Sequence, residues 1–418
     1  MRVVGISSWE PRACGIATYF KEQSESIARL GHQFDIICHK DEGGHRDQPG
    51  VHGVIDMADP HWYQRVYRLI ANDLRPDVVH IQHEFGLYTS ESEDGWDDAS
   101  GLLTLLGLLK MEGIPTVITC HTLCGKMKPM EAVHYRAMIP LSTITVAHAR
   151  YQIDLLEANL GTIPHNVTFV EHGAHFHTEE EIAVLRSEGR RSFGFDGYNV
   201  VGLNGWWAPN KNFVPIIKGW AEVYPRLKNP NTILVVAGAP RAGDELQLLY
   251  KARMMQAIEE SPVRDSIRVV EKTFTPEEFE LSLASFDLAV LPYVSASQSG
   301  VAAHTGAVGT AMLLRDLEGL GAYARAAGQA LMPLTSNPTA DVSAALDSIV
   351  EIMNDEPRLR RMQNSVAEYT RNVLAWSRVA ERYDRIYHDA VSISRQVHDL
   401  QHFYARAAHG TTALGVAV

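Results

Sequence analysis

Short apolar runs alternate with helical patterns along the first part of this chain, and this alternation limits the fold more than any other feature. The runs are rich in β-branched residues and occupy positions 3–6, 34–37, 78–81, 116–119, 144–146 and 167–170. Helical patterns separate several of them, at 15–30, 99–111, 131–139 and 149–160. Strands that alternate with helices are typical of βαβ units, so the sequence predicts an α/β domain with a parallel sheet.

The alternation restarts in the second half, with apolar runs at 200–203, 232–236, 267–270 and 288–291 and helical patterns at 213–223, 245–259 and 276–284. The segment 172–195 between the halves is polar, and we interpret it as irregular. A chain of 418 residues is also longer than a domain with a single hydrophobic core usually is. We therefore predict an N-terminal Rossmann-like domain at 1–176, a linker at 177–197, a C-terminal Rossmann-like domain at 198–375, a helix at 376–400 and a tail at 401–418.

Composition excludes some classes of function. The 38 basic and 50 acidic residues give a formal net charge of −12, which argues against a nucleic-acid partner. Four cysteines are too few and too scattered for a disulfide framework. Neither a signal peptide nor a run of about 20 apolar residues is recognisable. We expect a cytoplasmic protein, with peripheral contact at the inner membrane face as an open alternative and the oligomeric state unassigned.

Polar side chains follow several predicted strands of the first half. His83 and Glu84 follow the run at 78–81, His121 follows 116–119, and His172 follows 167–170. Ligands of open α/β sheets bind just beyond the carboxyl ends of strands, so these side chains are candidates for a site wall. His121 could equally be a satisfied core residue, His83 could simply support the neighbouring loop, and the segment at 170–173 could be a linker turn that needs its glycine. The spacing of the histidines and cysteines matches no zinc signature, so we expect no metal.

Glycine loops that enter helices suggest phosphate sites. Gly15 follows the first strand, and in the second half Gly205 and Lys211 follow the strand at 200–203. After the strand at 288–291, Ser299, Gly300 and Val301 begin another helix. Backbone N–H groups at a helix start favour anions. The patterns are neither G-x-G-x-x-G nor a Walker A loop, which leaves a nicotinamide cofactor or an ATPase poorly supported. The alternative is a set of ordinary turns with an exposed lysine.

In this order the motifs resemble one family, the GT-B glycosyltransferases of family 4. The resemblance spans about residues 1–390 and is carried by the segments 11–17, 81–86, 120–122, 171–173, 205–212, 236–238, 291–293, 298–300, 309–310 and 376–383. It implies two facing Rossmann-like domains, with a closing helix that returns to the N-terminal domain. It further implies retaining, metal-independent transfer from a UDP- or GDP-sugar to a hydroxyl of a glycan, a lipid-linked or a small-molecule acceptor. No cofactor is expected.

The strand-end positions, the glycine loops and the resemblance together give the candidate residues their expected roles. The catalytic candidates are His121, Glu84 and Lys211; the donor-binding candidates are Gly15, Gly205, Lys211, Arg241, Ser299, Gly300, Val301 and Thr305; the acceptor or sugar side is His83, Glu84 and His172.

The chain departs from the family pattern at three positions. Ser297 and Thr305 stand where the family usually has glutamates, the second of which holds the ribose, and Trp206 stands in place of a frequent arginine. Arg241 could replace that charge. Two alternatives therefore stay open: a non-catalytic protein that binds nucleotide sugars, and another GT-B reaction such as epimerisation or phosphorolysis.

Overall fold

The computed structural model describes residues 1–12, 14–40, 48–91, 97–123, 125, 127–162, 165–295 and 299–411. For 90–91, 97–98 and 398–411 only the backbone is described. The chain divides into two compact units. The first comprises Met1–Glu171 together with Trp376–Val418, and the second comprises His172–Ala375.

The first unit is built on a parallel sheet of seven strands in the described residues, in the order β3-β2-β1-β4-β7-β8-β9, beside a two-stranded antiparallel pair, β5-β6. The strands are β1 (Arg2–Ser7), β2 (Gln33–His39), β3 (Val51–Ile55), β4 (Val78–His83), β5 (Ser90–Glu91), β6 (Asp97–Asp98), β7 (Thr116–Cys120), β8 (Ile144–Ala147) and β9 (Val167–Phe169). β4, β7 and β8 are buried along their whole length, as expected for strands covered on both faces.

Helices cover both faces of this sheet. They are α1 (Gly15–Ala28), α2 (Trp62–Arg68, continued by a π-helical turn Leu69–Leu74), α3 (Phe85–Tyr88), α4 (Ser100–Met111), α5 (Pro129–Leu141) and α6 (Arg150–Leu160). Leu102, Leu105 and Leu109 recur at helical spacing on α4 and are fully buried in the core of one face. The apolar periodicity in the sequence thus predicts which helix face packs on the sheet.

The second unit repeats the architecture with six parallel strands in the described residues, in the order β12-β11-β10-β13-β14-β15. They are β10 (Asn199–Asn204), β11 (Thr232–Gly238), β12 (Ile267–Glu271), β13 (Leu288–Leu291), β14 (Ala311–Arg315) and β15 (Ala330–Met332). Its helices are α7 (Glu179–Phe193), α8 (Phe213–Val223), α9 (Glu245–Glu259), α10 (Pro276–Ala284), α11 (Gly300–Ala307), α12 (Glu318–Ala326), α13 (Pro338–Met353) and α14 (Glu356–Tyr369, continued by a π-helical turn Thr370–Leu374).

The closing helix, α15 (Trp376–Thr411), packs in the first unit. Its buried tyrosines bond to the sheet: Tyr387 Oη lies 2.7 Å from His80 Nδ1, and Tyr383 Oη lies 2.9 Å from Thr119 Oγ1. The helix also continues past residue 400, so the expectation of a separate tail at 401–418 is wrong as far as residue 411. In the described part of the chain, no helix combines the length and apolar character needed to cross a bilayer.

The expectation of an irregular linker is also wrong, because most of it is the regular helix α7. Thr178 caps this helix by accepting a hydrogen bond from the Glu181 N–H at 3.2 Å, and the Glu181 carboxylate accepts from the Thr178 N–H at 2.8 Å. α7 packs closely on α10, since a Cβ added at Gly189 would lie 2.2 Å from Leu281 O. The polar composition of this segment, with three consecutive glutamates at 179–181, suggested an irregular linker, although Thr178 and Glu181 have the spacing of a capping box that starts a helix.

Removing the cap of α7 should weaken the second unit measurably. Thr178→Ala deletes the hydroxyl that satisfies the Glu181 N–H, so we expect the free energy of unfolding to fall by about 1 kcal/mol. Thr178→Ser keeps the hydroxyl and should stay close to the native value. Urea unfolding of both variants tests this. Equal losses in the two would mean that the threonine methyl group, and not the cap, is what matters.

Candidate functional site

Polar groups in the first unit gather at the carboxyl edge of four adjacent strands. β1, β4, β7 and β8 are neighbours in the sheet and all run in the same direction. Their ends lead directly into Ser8, Glu84, His121 and His148. The sheet therefore brings Glu84 and His121 to one edge, as the sequence indicated. His148 also ends a strand in this way, although the sequence analysis did not single it out.

Glu84 is a half-buried carboxylate at the start of the short helix α3. Its side chain lies over the first turn, because a Cβ at Gly86 would be 3.1 Å from Glu84 Oε2. Burial raises the pKa of Glu84 above its ordinary value, while the backbone N–H groups of Gly86 and Phe85 and the charge of Arg12 act in the opposite direction. A carboxyl group whose pKa is raised is suited to exchange a proton with a ligand hydroxyl.

His121 is oriented by a hydrogen-bonded pair of amides. Gln82 Nε2 donates to Gln23 Oε1 at 2.8 Å, which leaves Gln82 Oε1 to accept from His121 Nε2 at 2.8 Å. The Nδ1 atom of His121 lies 3.4 Å from Nε2 of His148, and the ring of Tyr19 packs edge-on against His121 at 4.9 Å. Because an amide oxygen only accepts, the hydrogen must reside on Nε2 of His121. The ring is thus held in one orientation at the edge of the sheet.

The interpretation of His83 as an acceptor-contacting residue is wrong. Its side chain is fully buried, with Nε2 3.1 Å from Nε2 of His134 and the two rings stacked at 5.1 Å. Burial lowers the pKa of His83 to about 3, so the ring stays neutral. His83 supports the strand end that presents Glu84 and does not itself reach a ligand.

The remaining candidates of the first half occupy different places. Gly15 is the first residue of α1 at the same sheet edge; it is exposed, and among the described residues no atom lies within 4 Å of where its Cβ would stand. His172 belongs to the second unit, and its Nδ1 lies 2.9 Å from Gly173 O.

In the second unit, the loops after β10, β11 and β13 converge. A Cβ at Gly238 would lie 2.0 Å from Gly205 O, and one at Gly205 would lie 3.6 Å from Val301 Cγ2. Both glycines have positive φ, 130° at Gly205 and 131° at Gly238, which L side chains rarely adopt. The glycine pair lets the two strand ends approach each other beside the start of α11.

Two cations lie at this convergence. Lys211 Nζ stands 3.8 Å above the centre of the Tyr293 ring, and Arg241 Cζ lies 5.2 Å from the ring of Trp206. Burial, with a further contribution from the charge of Arg241, lowers the pKa of Lys211 to about 8. Among the described residues neither cation forms an ion pair with a carboxylate. Uncompensated positive charge at a glycine-lined edge is suited to an anionic ligand.

The helix α11 begins at the same place. Ser299 caps it by accepting from the Ala302 N–H at 3.3 Å, and in the described residues no atom lies within 4 Å of where a Cβ on the first residue, Gly300, would stand. The backbone of Gly300 and Val301 is therefore approachable. Thr305 is different, because its side chain is fully buried and its hydroxyl donates to Val301 O at 2.6 Å. The assignment of the Thr305 side chain as a donor contact is wrong, and Ser297 lies outside the described residues.

In the part of the chain that the structure describes, no group of three or more histidine, cysteine, aspartate or glutamate side chains is arranged to hold a metal ion. Cys14, Cys38 and Cys120 are free thiols, and burial raises the pKa of both Cys38 and Cys120 to about 12. Cys124 lies outside the described residues.

The raised pKa of Glu84 predicts a gain in stability when its charge is removed. Above its ordinary pKa, the Glu84 carboxyl is ionised in the unfolded chain, whereas the folded protein still favours its protonated form. The free energy of unfolding therefore falls as the pH rises from the ordinary carboxyl pKa through the raised pKa of folded Glu84. Glu84→Gln should therefore unfold at a higher urea concentration than the native chain at about pH 7, with less difference near pH 4. Glu157→Gln, an exposed site on α6, is the control. A Glu84→Gln variant less stable at neutral pH would contradict this.

A family model described as the glycosyl transferase 4-like domain matches residues 14–153. This range contains the strand ends that carry Glu84 and His121. A search of curated proteins finds no match.

Solved structures match nearly the whole chain. Sucrose-phosphate synthase from Thermosynechococcus elongatus superposes with a TM-score of 0.70 at 12% identity, covering 94% of this chain and 100% of the other. HepE from Anabaena, in complex with UDP and glucose, superposes with a TM-score of 0.66 at 11% identity, covering 92% of this chain and 99% of the other. The catalytic domain of starch synthase IV from Arabidopsis thaliana, bound to ADP and acarbose, superposes with a TM-score of 0.67 at 13% identity, covering 94% of this chain and 99% of the other. These likenesses establish the GT-B fold, and with the family model they confirm the resemblance to family 4-like glycosyltransferases.

Proposed function

We propose that this chain, which has the GT-B fold and matches the glycosyl transferase 4-like family model over residues 14–153, moves a sugar from a nucleotide-sugar donor to an acceptor hydroxyl with retention of configuration and without a metal ion. The observation that carries the proposal is the convergence in the second unit. There Lys211 and Arg241, without carboxylate partners among the described residues, lie beside the Gly205 loop and the start of α11.

A nucleoside diphosphate is the ligand that fits this edge best. Its two phosphates would supply the negative counter-charges for Lys211 and Arg241. The backbone N–H groups at Gly300 and Val301 can donate hydrogen bonds to phosphate oxygens. Trp206, which is 39% exposed, adds an aromatic surface next to Arg241. The structural neighbours HepE and starch synthase IV were solved with UDP and ADP respectively. For this chain we propose a UDP- or GDP-sugar as the donor.

The transfer step would break the bond between the anomeric carbon and the diphosphate and form a new bond from that carbon to the acceptor oxygen. The acceptor proton would pass to the leaving phosphate on the same face, so no side-chain nucleophile is needed. Lys211 would stabilise the charge that develops on the diphosphate. Glu84 and His121, held at the edge of the first sheet, would bind the hydroxyl groups of the sugar or the acceptor, and catalysis would rest on positioning.

Metal independence is a separate part of the proposal. Two protein cations can neutralise a diphosphate, which is the task that Mg²⁺ performs elsewhere. We therefore expect turnover to stay within about twofold of its initial value when excess EDTA is added. A loss of turnover that Mg²⁺ or Mn²⁺ restores would contradict this part and leave the sugar-transfer proposal standing.

A second candidate function is binding of a nucleotide sugar without turnover. It is favoured by Thr305, whose buried hydroxyl is satisfied inside α11 at the position where the resemblance places a ribose-binding glutamate. Ligand binding alone does not separate the two candidates. Release of free nucleotide in the presence of an acceptor panel would, because only the enzyme consumes the donor.

The decisive first experiment is thermal-shift screening with UDP, GDP, ADP and their sugar conjugates, followed by turnover assays with the ligand that binds. A ligand at 100 times its dissociation constant should stabilise the protein by about 2.7 kcal/mol. The native chain and Arg241→Gln should be compared, with Arg226→Gln as the control, because Arg226 forms an ion pair with Asp347 on the same unit. If no nucleotide shifts the melting temperature, the donor-site proposal fails.

A further inference from the structure

A cavity of about 520 Å³ opens in the first unit, away from the candidate site. It is lined by the carboxyl ends of α4 and α5, by α15, and by the turns that precede β7, β8 and β9. Those turns lie at the amino edge of the parallel sheet, whereas Glu84 and His121 follow strand ends at the carboxyl edge. The volume falls in the range of about 300–1,000 Å³ that is typical of small-molecule sites.

The walls of this cavity contain a set of aliphatic side chains. They include Ile114, Ile139 and Leu160 from the body of the unit, and Ile393 and Val397 from α15. Ile393 is 42% and Val397 47% exposed, so these two side chains face water at the cavity wall. Covering them with an aliphatic ligand would remove apolar surface from water, which is the main source of favourable binding energy for such a molecule.

The charged groups around the cavity have one sign. The titratable side chains that line it in the described residues are Lys110, Arg136 and His165, together with Tyr135, and none is acidic. Lys110 Nζ donates to Pro140 O at 2.6 Å, and Arg136 Nη2 donates to Leu160 O at 3.0 Å. Neither forms an ion pair with a carboxylate in the described part of the chain. The carbonyl bonds fix the two cations in place and use one of their several N–H donors each.

We propose that this cavity binds a single-chain lipid with a phosphate head group. The aliphatic chain would lie against Ile139, Leu160, Ile393 and Val397, and the phosphate would accept hydrogen bonds from the free N–H groups of Lys110 and Arg136. Charge complementarity carries this choice, because a cationic patch in a chain of net charge −12 favours an anionic ligand over a neutral one. The site is independent of the proposed sugar transfer.

Calorimetric titration with octyl, decyl and dodecyl phosphate below their aggregation thresholds tests the proposal. Affinity should rise about fourfold for each added methylene until the cavity is filled. Dodecyl maltoside, which has the same chain and a neutral head, should bind at least about tenfold more weakly. Inorganic phosphate alone should bind undetectably. Equal affinities for dodecyl phosphate and dodecyl maltoside would overturn the proposal, as would an absence of chain-length dependence.

Substitutions in the cavity wall distinguish binding in the cavity from non-specific binding of the ligand to the protein surface. Lys110→Gln combined with Arg136→Gln removes the two positive charges that would hold the head group. Ile393→Asp places a carboxylate on the exposed wall. Each change should weaken dodecyl phosphate binding at least about tenfold. Lys218→Gln, an exposed lysine on α8, is the matched control and should bind as the native chain does. All variants should keep the nucleotide-dependent thermal shift of the native chain. Binding to anionic phospholipid vesicles without binding of monomeric dodecyl phosphate would contradict the cavity site and indicate a membrane-surface contact instead.

Discussion

Replacing Lys211 with methionine is expected to lower kcat/KM by roughly 30- to 1,000-fold, equivalent to about 2–4 kcal/mol of transition-state stabilisation. Methionine keeps most of the side-chain length against Tyr293 and deletes the charge. The folded protein should not be weakened at neutral pH. Burial lowers the pKa of Lys211 to about 8, so the fold disfavours the charged form that the unfolded chain carries below that pH. Activity should therefore fall while stability holds.

The pH dependence of nucleotide binding gives a second readout of the same residue. A diphosphate prefers protonated Lys211, so affinity should be greatest below about pH 8 and decline by up to about tenfold per pH unit above it. In Lys211→Met this decline should disappear. Calorimetry of UDP and GDP between about pH 6.5 and 9.5 provides the measurement. Lys218→Met, on the exposed face of α8, is the control and should leave both kcat/KM and the pH profile unchanged. A kcat/KM for Lys211→Met within about threefold of native would show that the lysine does not contact the donor.

The sequence predicts much of this fold because buried parallel strands have a strong local signature. β10, β11 and β13 have apolar interiors, and glycine or small polar residues stand at the carboxyl ends of β10 and β11. The same signature places Glu84 and His121 at one edge of the first sheet. His148, which follows Ala147 at the end of β8, carries the same signature of a polar side chain directly after a buried strand.

Other elements depend on tertiary contacts that no local sequence pattern shows. β14 (Ala-Met-Leu-Leu-Arg) consists of residues that favour helices, and it becomes a strand because β13 and β15 pair with it. α7 has Gly189 as its one buried residue, so the close approach of its backbone to Leu281 is invisible to apolar periodicity. The errors at His83 and Thr305 share one cause. Sequence places a side chain near a strand end or a helix start, but it does not show which way the side chain points.

The stacking of Arg241 on Trp206 shows how the second unit can keep a cation that the family pattern would put elsewhere. The sequence suggested Arg241 as a substitute charge, and the structure brings it close enough to Lys211 to affect the pKa of that lysine. Its backbone N–H is held by Gln247 Oε1 at 2.9 Å, so the loop that carries it is anchored to α9. The attraction between a cation and a phosphate depends on where the cation lies and not on which loop carries it. Such a replacement is therefore physically reasonable.

Gly238→Ala is expected to be among the most damaging single-methyl changes in the second unit. The new Cβ would lie 2.0 Å from Gly205 O and 2.9 Å from Gly205 C, and both are backbone atoms that cannot rotate away. The φ of 131° adds conformational strain. The loops after β10 and β11 must separate, so we expect the free energy of unfolding to fall by about 3 kcal/mol or more. Nucleotide affinity should fall at least about tenfold, because the Gly205 loop moves away from Val301 and the start of α11.

The matched control for Gly238 is Gly243→Ala, five positions further along the chain. Gly243 also has positive φ, 77°, but no atom lies within 4 Å of where its Cβ would stand. Its replacement should cost about 1 kcal/mol, through backbone strain alone, and leave nucleotide affinity unchanged. Urea unfolding and calorimetry on the two variants separate steric contact from strain. If they lose the same stability and both keep native nucleotide affinity, the close approach of Gly205 and Gly238 does not shape the donor site, and Lys211 and α11 must hold the phosphates without it.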